Sequence, residues 1–193
     1  MHKSSRIILA SASPRRKELM EKAGYKFTVI VSDINESDFQ LDDLEPVEYA
    51  KQLALAKAKA VAKDYPDAIV IGADTIADLD GEIIGKPQNK KHAEQITRKL
   101  FSKPHKVITS VAIVRLSDKL QTVESDTTVV YPRRMTAQQI AQHIKGGTWR
   151  GKAGAYAIQE TGDQFVERIE GSLTNVMGLP MELLQKMLSQ ISS

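Results

Sequence analysis

A short apolar run that ends in a carboxylate constrains this chain more than any other feature: residues 69–87 read IVIGADTIADLDGEIIGKP. Ile69, Val70 and Ile71 suit a strand buried on both faces, and Gly72 and Ala73 then keep side chains out of the way. Asp74 and Thr75 follow at once, so the strand carries a carboxylate and a hydroxyl toward its own end. Asp80-Gly81 is a strong two-residue hairpin signal between Ile76–Leu79 and Ile83-Ile84, which lets Lys86, just past the second arm, return toward Asp74. A carboxylate and an ammonium would then share one mouth. Taken alone, the same residues also fit an aspartate that caps a turn and a solvated surface lysine, so the rest of the chain has to decide.

Length and charge narrow the classes. At 193 residues and 41% hydrophobic content, the chain can bury a sizeable core, and one globular unit spanning residues 1–193 is expected. The absence of cysteine excludes disulfides, thiolate metal sites and a cysteine nucleophile, and it fits a reducing compartment. No apolar run approaches the roughly 20 residues that span a bilayer, and the N-terminus leads directly into a strand, so a cytoplasmic protein with no membrane partner is expected. The 27 Lys and Arg against 24 Asp and Glu leave a net charge of only +3, which gives no reason to expect an obligatory nucleic-acid partner. A homodimer is left open.

Placed in order, the charges become informative. Arg6–Ala10 reads as a first strand, followed by Ser13 at an N-cap and Pro14 at the first helical position. Arg15 and Arg16 fall in the first turn, where cations oppose the helix dipole unless an anion is expected beside the free N–H groups. Gly24 ends that helix, and residues 25–31 read as a second strand. The polar connection 32–45 carries Asp33, Glu36, Asp38, Asp42, Asp43 and Glu45, any of which could deliver an oxygen ligand to a hard divalent cation; spacing does not single one out. Residues 46–63 form an amphipathic helix in which Lys57 breaks the apolar face. It either snorkels over core surface or points into a phosphate site.

Further along, a helix over 90–101, a long antiparallel arm from 106–115 and 120–131, and a helix opened by the Thr136/Gln139 capping box are expected. Trp149 then introduces a second glycine-rich stretch, residues 151–159, whose small residues let backbone approach a ligand and which contains Lys152. It matches neither a GxxxxGK[ST] loop nor a GxGxxG fingerprint. Residues 164–169 read as another strand and 180–191 as a closing amphipathic helix.

Taken together, ASASPRRKEL (10–19), AKAKA (56–60), GADT (72–75), GKP (85–87), KAGAYAIQ (152–159) and NVMGLP (175–180) resemble the Maf family of nucleoside triphosphate pyrophosphatases over nearly the whole chain. The resemblance implies an α/β fold of three layers, with an elongated mixed β-sheet flanked by helices and two lobes with a central cleft (ITPase-like/Maf-like). It also implies hydrolysis of a nucleotide between the α and β phosphates with a divalent metal cation, Mg2+ or Mn2+, as cofactor. By this matching, Asp74 is the proton acceptor, Lys57 and Lys86 contact phosphate, and Glu36 is the acidic loop residue near the metal, standing in an Asn35-Glu36 pair where members often carry two adjacent acids. Arg15, Thr75 and Gln159 match the positions tied to the branch acting on dTTP and UTP, with CTP as a further candidate.

Physical chemistry agrees. Cleaving a triphosphate needs its charge neutralised, a metal clamp and an oriented water. Arg15, Arg16, Lys57, Lys86 and Lys152 supply the first, Glu36 and Asp74 the second, and Asp74 can also take the water's proton. The Gln159 amide, at once donor and acceptor, suits a pyrimidine edge. Two other readings stand beside this one. Members of the family have been linked to septum formation, so a nucleotide- or nucleic-acid-binding regulator would need the cations but not Asp74; a pyrophosphatase for a modified nucleotide would need both.

Overall fold

The computed structural model describes residues 6–36, 39, 44–156, 158 and 166–191. Its centre is a seven-stranded mixed sheet in the order β2-β1-β3-β5-β6-β7, made of β1 (Ile7–Leu9), β2 (Phe27–Val29), β3 (Ile69–Leu79), β5 (His105–Arg115), β6 (Leu120–Pro132) and β7 (Val166–Glu170). The seventh strand, β4 (Glu82–Ile84), pairs with the far half of β3. β1 lies parallel to β2 and β3, whereas β3, β5, β6 and β7 are successively antiparallel. The Asp80-Gly81 hairpin forms as its sequence suggests, with φ of 53° and 87° at the two turn residues, both in the left-handed region that such a turn requires.

Alternation along β3 divides the molecule. On one face, Val70 packs with Ala54, Ala58 and Val61 of α2 (Pro46–Ala62), and Ile76 packs with Ala50 of the same helix. On the other, Ile69, Ile71 and Ala73 meet α1 (Pro14–Lys22) and α6 (Met181–Ile191), while Ala77 and Leu79 meet α3 (Lys90–Leu100) and α4 (Ala137–Gly146). The result is three layers, with two separate apolar clusters along one face of the long β3-β5-β6 arm. The fold is thus the mixed, helix-flanked sheet that the resemblance implies.

Most elements fall where sequence patterning puts them. The second strand is shorter than expected and covers only Phe27–Val29, with Tyr25 N–H still bonded back to Met20 O at the helix end. The last strand is described over Val166–Glu170, and its expected start at residues 164–165 lies outside the described residues. The short helix α5 (Leu173–Val176), capped by Ser172, has too few residues to show a helical period and was not expected. Among the described residues no helix is long and apolar enough to cross a membrane.

Candidate active site

The cleft opens where the edge of β3 changes partner. β1 pairs with residues 69–71 of β3 and β4 with residues 77–79, so between them the edge from Gly72 to Ile76 faces the turn that follows β1. Open α/β sheets take ligands at such a point, beyond the carboxyl end of a strand where the connections diverge. The cavity, about 480 Å³, is lined by this turn and Arg15 and Arg16 of α1, by Glu36, Lys57, Asp74, Thr75 and Lys86, and by Lys152 and Tyr156 of the glycine-rich segment.

Its floor is fixed by close approach of helix to strand. A Cβ on Gly72 would lie 2.3 Å from Ala54 O and 2.7 Å from Ala58 N, so α2 can rest on β3 here only against a glycine. Asp74 is the next residue on the same face of β3, and Lys57 lies between Ala54 and Ala58 on α2. The two side chains therefore meet: Lys57 Nζ donates to Asp74 Oδ1 at 2.6 Å, with both residues buried. The apolar-face lysine is not snorkelling to solvent. It points into the site and also reaches Glu36 Oε1 at 2.9 Å. Lys86, exposed, approaches that same Glu36 oxygen at 3.5 Å, so its partner is Glu36 rather than Asp74. Burial would raise the Glu36 pKa, but the hydrogen bond and charge of Lys57, with the charge of Lys86, outweigh it and hold the carboxyl below its ordinary value.

Thr75, on the opposite face, belongs to a different network. Arg16 Nη2 donates to Thr75 Oγ1 at 3.0 Å, Thr75 and Thr109 share a 3.0 Å bond, and Thr109 donates to Asn175 O at 2.9 Å. Because a carbonyl can only accept, Thr109 gives its hydroxyl proton to Asn175 O; Thr75 is then the donor in the bond to Thr109, with Gly178 O at 3.4 Å as its longer alternative acceptor. Arg16 also donates to Gly178 O at 2.7 Å, to Ala73 O at 2.9 Å and to Ser11 Oγ at 3.2 Å. Its guanidinium satisfies a backbone carbonyl on the open stretch of β3 and binds the residues on either side of Asp74 to α1 and to the NVMGLP turn. Asn175, fully buried, extends the band by donating to Val107 O and Thr128 Oγ1, each at 2.9 Å. These side chains cross the sheet in the gap between the two apolar clusters.

The glycine-rich segment is held from behind. Gly154 and Ala155 have φ of 71° and 60°, and Gly154 N–H donates to Gly85 O, tying the segment to GKP. His143 of α4 bonds through Nε2 to Ala155 O at 2.7 Å, and Tyr156 OH reaches His105 Nε2 at 2.8 Å. His105 Nδ1 faces Leu100 O, so Nδ1 carries the proton and Nε2 accepts from the tyrosine. Burial pushes the His105 pKa down to about 4 and the Tyr156 pKa up, consistent with both being neutral. Sequence reading missed this support, since His105, His143 and Tyr156 have no recognisable spacing.

Of the residues expected at the site, Arg15, Arg16, Glu36, Lys57, Asp74, Thr75, Lys86 and Lys152 all line the one cleft. Gln159, together with Asp38, Asp42 and Asp43, lies outside the described residues. Among the described residues no group of three or more acidic or histidine side chains could hold a metal ion by itself. Glu36 and Asp74 nonetheless fit a hard cation: both are carboxylates, both face one ammonium, and Mg2+ characteristically takes one or two protein carboxylates and fills its remaining positions with water and substrate phosphates.

Fold and cleft together define a three-layer α/β protein with a cation-lined site where β3, within a mixed sheet, passes from β1 to β4. A family model described as Maf-like protein matches residues 6–191, and the chain belongs to that family. It is 45% identical over 179 residues to the dTTP/UTP pyrophosphatase of Citrifermentans bemidjiense, covering 93% of this chain and 92% of the relative. To the dTTP/UTP pyrophosphatase of Ruminiclostridium cellulolyticum it is 39% identical over 186 residues, 96% of each chain. A looser likeness, at TM-score 0.46 and 17% identity over 66% of this chain and 72% of the other, is to the Staphylococcus aureus Ham1 protein.

Proposed function

We propose that this protein is a nucleoside triphosphate pyrophosphatase that hydrolyses dTTP and UTP, with CTP as a weaker substrate, to the nucleoside monophosphate and pyrophosphate. The observation that carries the reading is the buried Asp74 carboxylate held 2.6 Å from Lys57 in a cleft whose lining also includes Arg15, Arg16, Lys86 and Lys152. The names of the relatives support the substrate and the bond cleaved.

In this reading Lys86 and Lys152 at the mouth, with Arg15 on α1, take the phosphates, and Arg16 adds its charge while its N–H groups hold the floor. Glu36 and Asp74 are the residues that would hold Mg2+ or Mn2+, which when bound neutralises phosphate charge and polarises the α-phosphorus. Asp74 accepts a proton from a water as its oxygen bonds to the α-phosphorus; the bond from that phosphorus to the bridging oxygen breaks, and pyrophosphate leaves with the electron pair. Before substrate arrives Lys57 holds the Asp74 carboxylate in place, and it borders the space the phosphates would enter. Thr75 and Gln159 are assigned to base selection, with the Gln159 amide pairing to N3–H and O4 of uracil or thymine. Because nucleotides are the substrates, the protein is placed in the cytoplasm.

The test is pyrophosphate release across a panel of triphosphates, with Asp74→Asn beside the unmodified protein. Expected are preference for dTTP and UTP over purine nucleotides and a loss of about a thousandfold in turnover for Asp74→Asn with nucleotide affinity retained. Preference for GTP would sink the pyrimidine assignment. No hydrolysis of any triphosphate with any divalent metal would leave a nucleotide-binding regulator as the better account.

A further inference from the structure

We propose that Lys57 is a resident counter-ion that keeps a divalent cation off Glu36 and Asp74 until the phosphates of a nucleotide draw its ammonium away. The inference rests on the proposed function for the identity of the ligands, but its geometry is independent of it. Lys57 Nζ lies 2.6 Å from Asp74 Oδ1 and 2.9 Å from Glu36 Oε1, so it occupies the place between the two carboxylates that a bridging cation would take. An ammonium and a divalent cation a few ångströms apart repel strongly in a partly desolvated site, so they compete for the same two carboxylates.

The backbone cannot resolve this conflict, because α2 rests on β3 at Gly72 with no room to spare in the sheet and none to gain without opening the core. Within the buried Lys57–Asp74 pair, the flexible lysine stem is the part that can move. It borders the cleft, so its ammonium can swing from the carboxylates toward the space where phosphates would lie. A phosphate then replaces the lost partners of Lys57, while the freed carboxylates gain the metal. Glu36 retains a second cation, Lys86 at 3.5 Å, whose exposed side chain can leave without such a cost. Metal and nucleotide are therefore coupled in binding, and part of that coupling resides in one lysine that need not touch the metal.

The experiment is Mn2+ titration followed by electron paramagnetic resonance, on the unmodified protein and on Lys57→Met, each with and without the non-hydrolysable analogue α,β-methylene-UTP. Without nucleotide, the unmodified protein should bind Mn2+ only in the millimolar range, and Lys57→Met should bind it tighter by on the order of tenfold or more. The strengthening produced by the analogue should be smaller in Lys57→Met than in the unmodified protein. Equal or weaker Mn2+ binding by a folded Lys57→Met overturns the proposal, as does micromolar binding by the unmodified protein without nucleotide. If Lys57→Met does not fold, Lys57→Gln, which removes the charge and keeps a donor, is read by the same criteria, and the unmodified protein still decides by its own affinity. Should the unmodified protein cleave no triphosphate, the proposed function fails while these titrations continue to report on Lys57.

Discussion

The floor and the rim of the cleft carry similar charges in very different ways. On the floor, the side chains of Lys57 and Asp74 are 10% and 8% exposed, and Arg16 has its N–H groups on four protein oxygens. On the rim, the side chains of Lys86 and Glu36 are 53% and 39% exposed, and they sit on connections rather than on strands or long helices. A group on the floor is oriented before any ligand arrives, at the cost of burial that its partners must offset. A rim group keeps its hydration and orders only when a ligand pays for it. Pre-organised chemistry therefore belongs to the floor, and adaptable charge to the rim.

The largest test of this contrast is Gly72→Ala. The new methyl would sit 2.3 Å from Ala54 O, a backbone atom that cannot rotate aside, so α2 has to lift from β3. Overpacking of this kind costs roughly 1–3 kcal/mol, and the upper end is expected because backbone must move. The same shift displaces Asp74 and Lys57 from the floor that positions them, so turnover should fall together with the midpoint of urea unfolding. Unchanged turnover in a clearly destabilised Gly72→Ala would mean that the floor tolerates far more play than its packing suggests.

The next effect lies behind the rim, where His105 and Tyr156 back the glycine-rich segment. The folded-state pKa of His105 falls to about 4 from an ordinary 6.5. The unfolded chain therefore binds a proton first as pH drops, so stability from this group is complete above about pH 6.5 and is lost as pH falls toward 4. The linkage amounts to roughly 2 kcal/mol near pH 5. Unfolding free energies measured at pH 7 and pH 5 should differ less in His105→Gln than in the unmodified protein; equal slopes would show that other groups set the acid sensitivity.

Arg16→Lys comes third. An ammonium cannot span the directions the guanidinium covers, so some of the bonds to Gly178, Ala73, Ser11 and Thr75 are lost, at about 1 kcal/mol of stability. If Arg16 serves the floor, kcat falls while KM holds, because the charge remains but the backbone around Asp74 loosens. A raised KM with kcat intact would move Arg16 to the rim as a phosphate contact.

What could be read from sequence follows the same division. The periodicity of α2 exposes Lys57 as a charge on an apolar face, and the run from Ile69 to Asp74 ends in a carboxylate, so the floor was legible as two anomalies in regular elements. Their meeting was not, because it depends on α2 crossing β3 at Gly72, a contact between residues far apart in the chain. Arg15 and Arg16 are indistinguishable as letters; only the fold turns Arg16 onto Ala73, Thr75 and Gly178. Glu36 could not be told from its acidic neighbours by spacing, since a connecting segment has no period to break. The motifs shared with the family singled it out where physics alone did not.

The smallest expected effect is on the rim, and it is the sharpest check on the comparison because it should be nearly invisible in stability. Lys86 meets Glu36 at 3.5 Å with its side chain more than half exposed, and a pair of this kind contributes within about 0.5 kcal/mol. Lys86→Met should therefore unfold at nearly the same urea concentration as the unmodified protein. Its KM for UTP should rise several-fold, with kcat changed less, since a long-range cation at the mouth attracts the triphosphate without fixing Asp74. Salt should shrink the difference between the two proteins, because an exposed charge is screened in a way that buried Lys57 is not. A loss in kcat as large as the gain in KM would place Lys86 with the floor, and exposure would then be a poor guide to which charges in this cleft act on the reacting atoms.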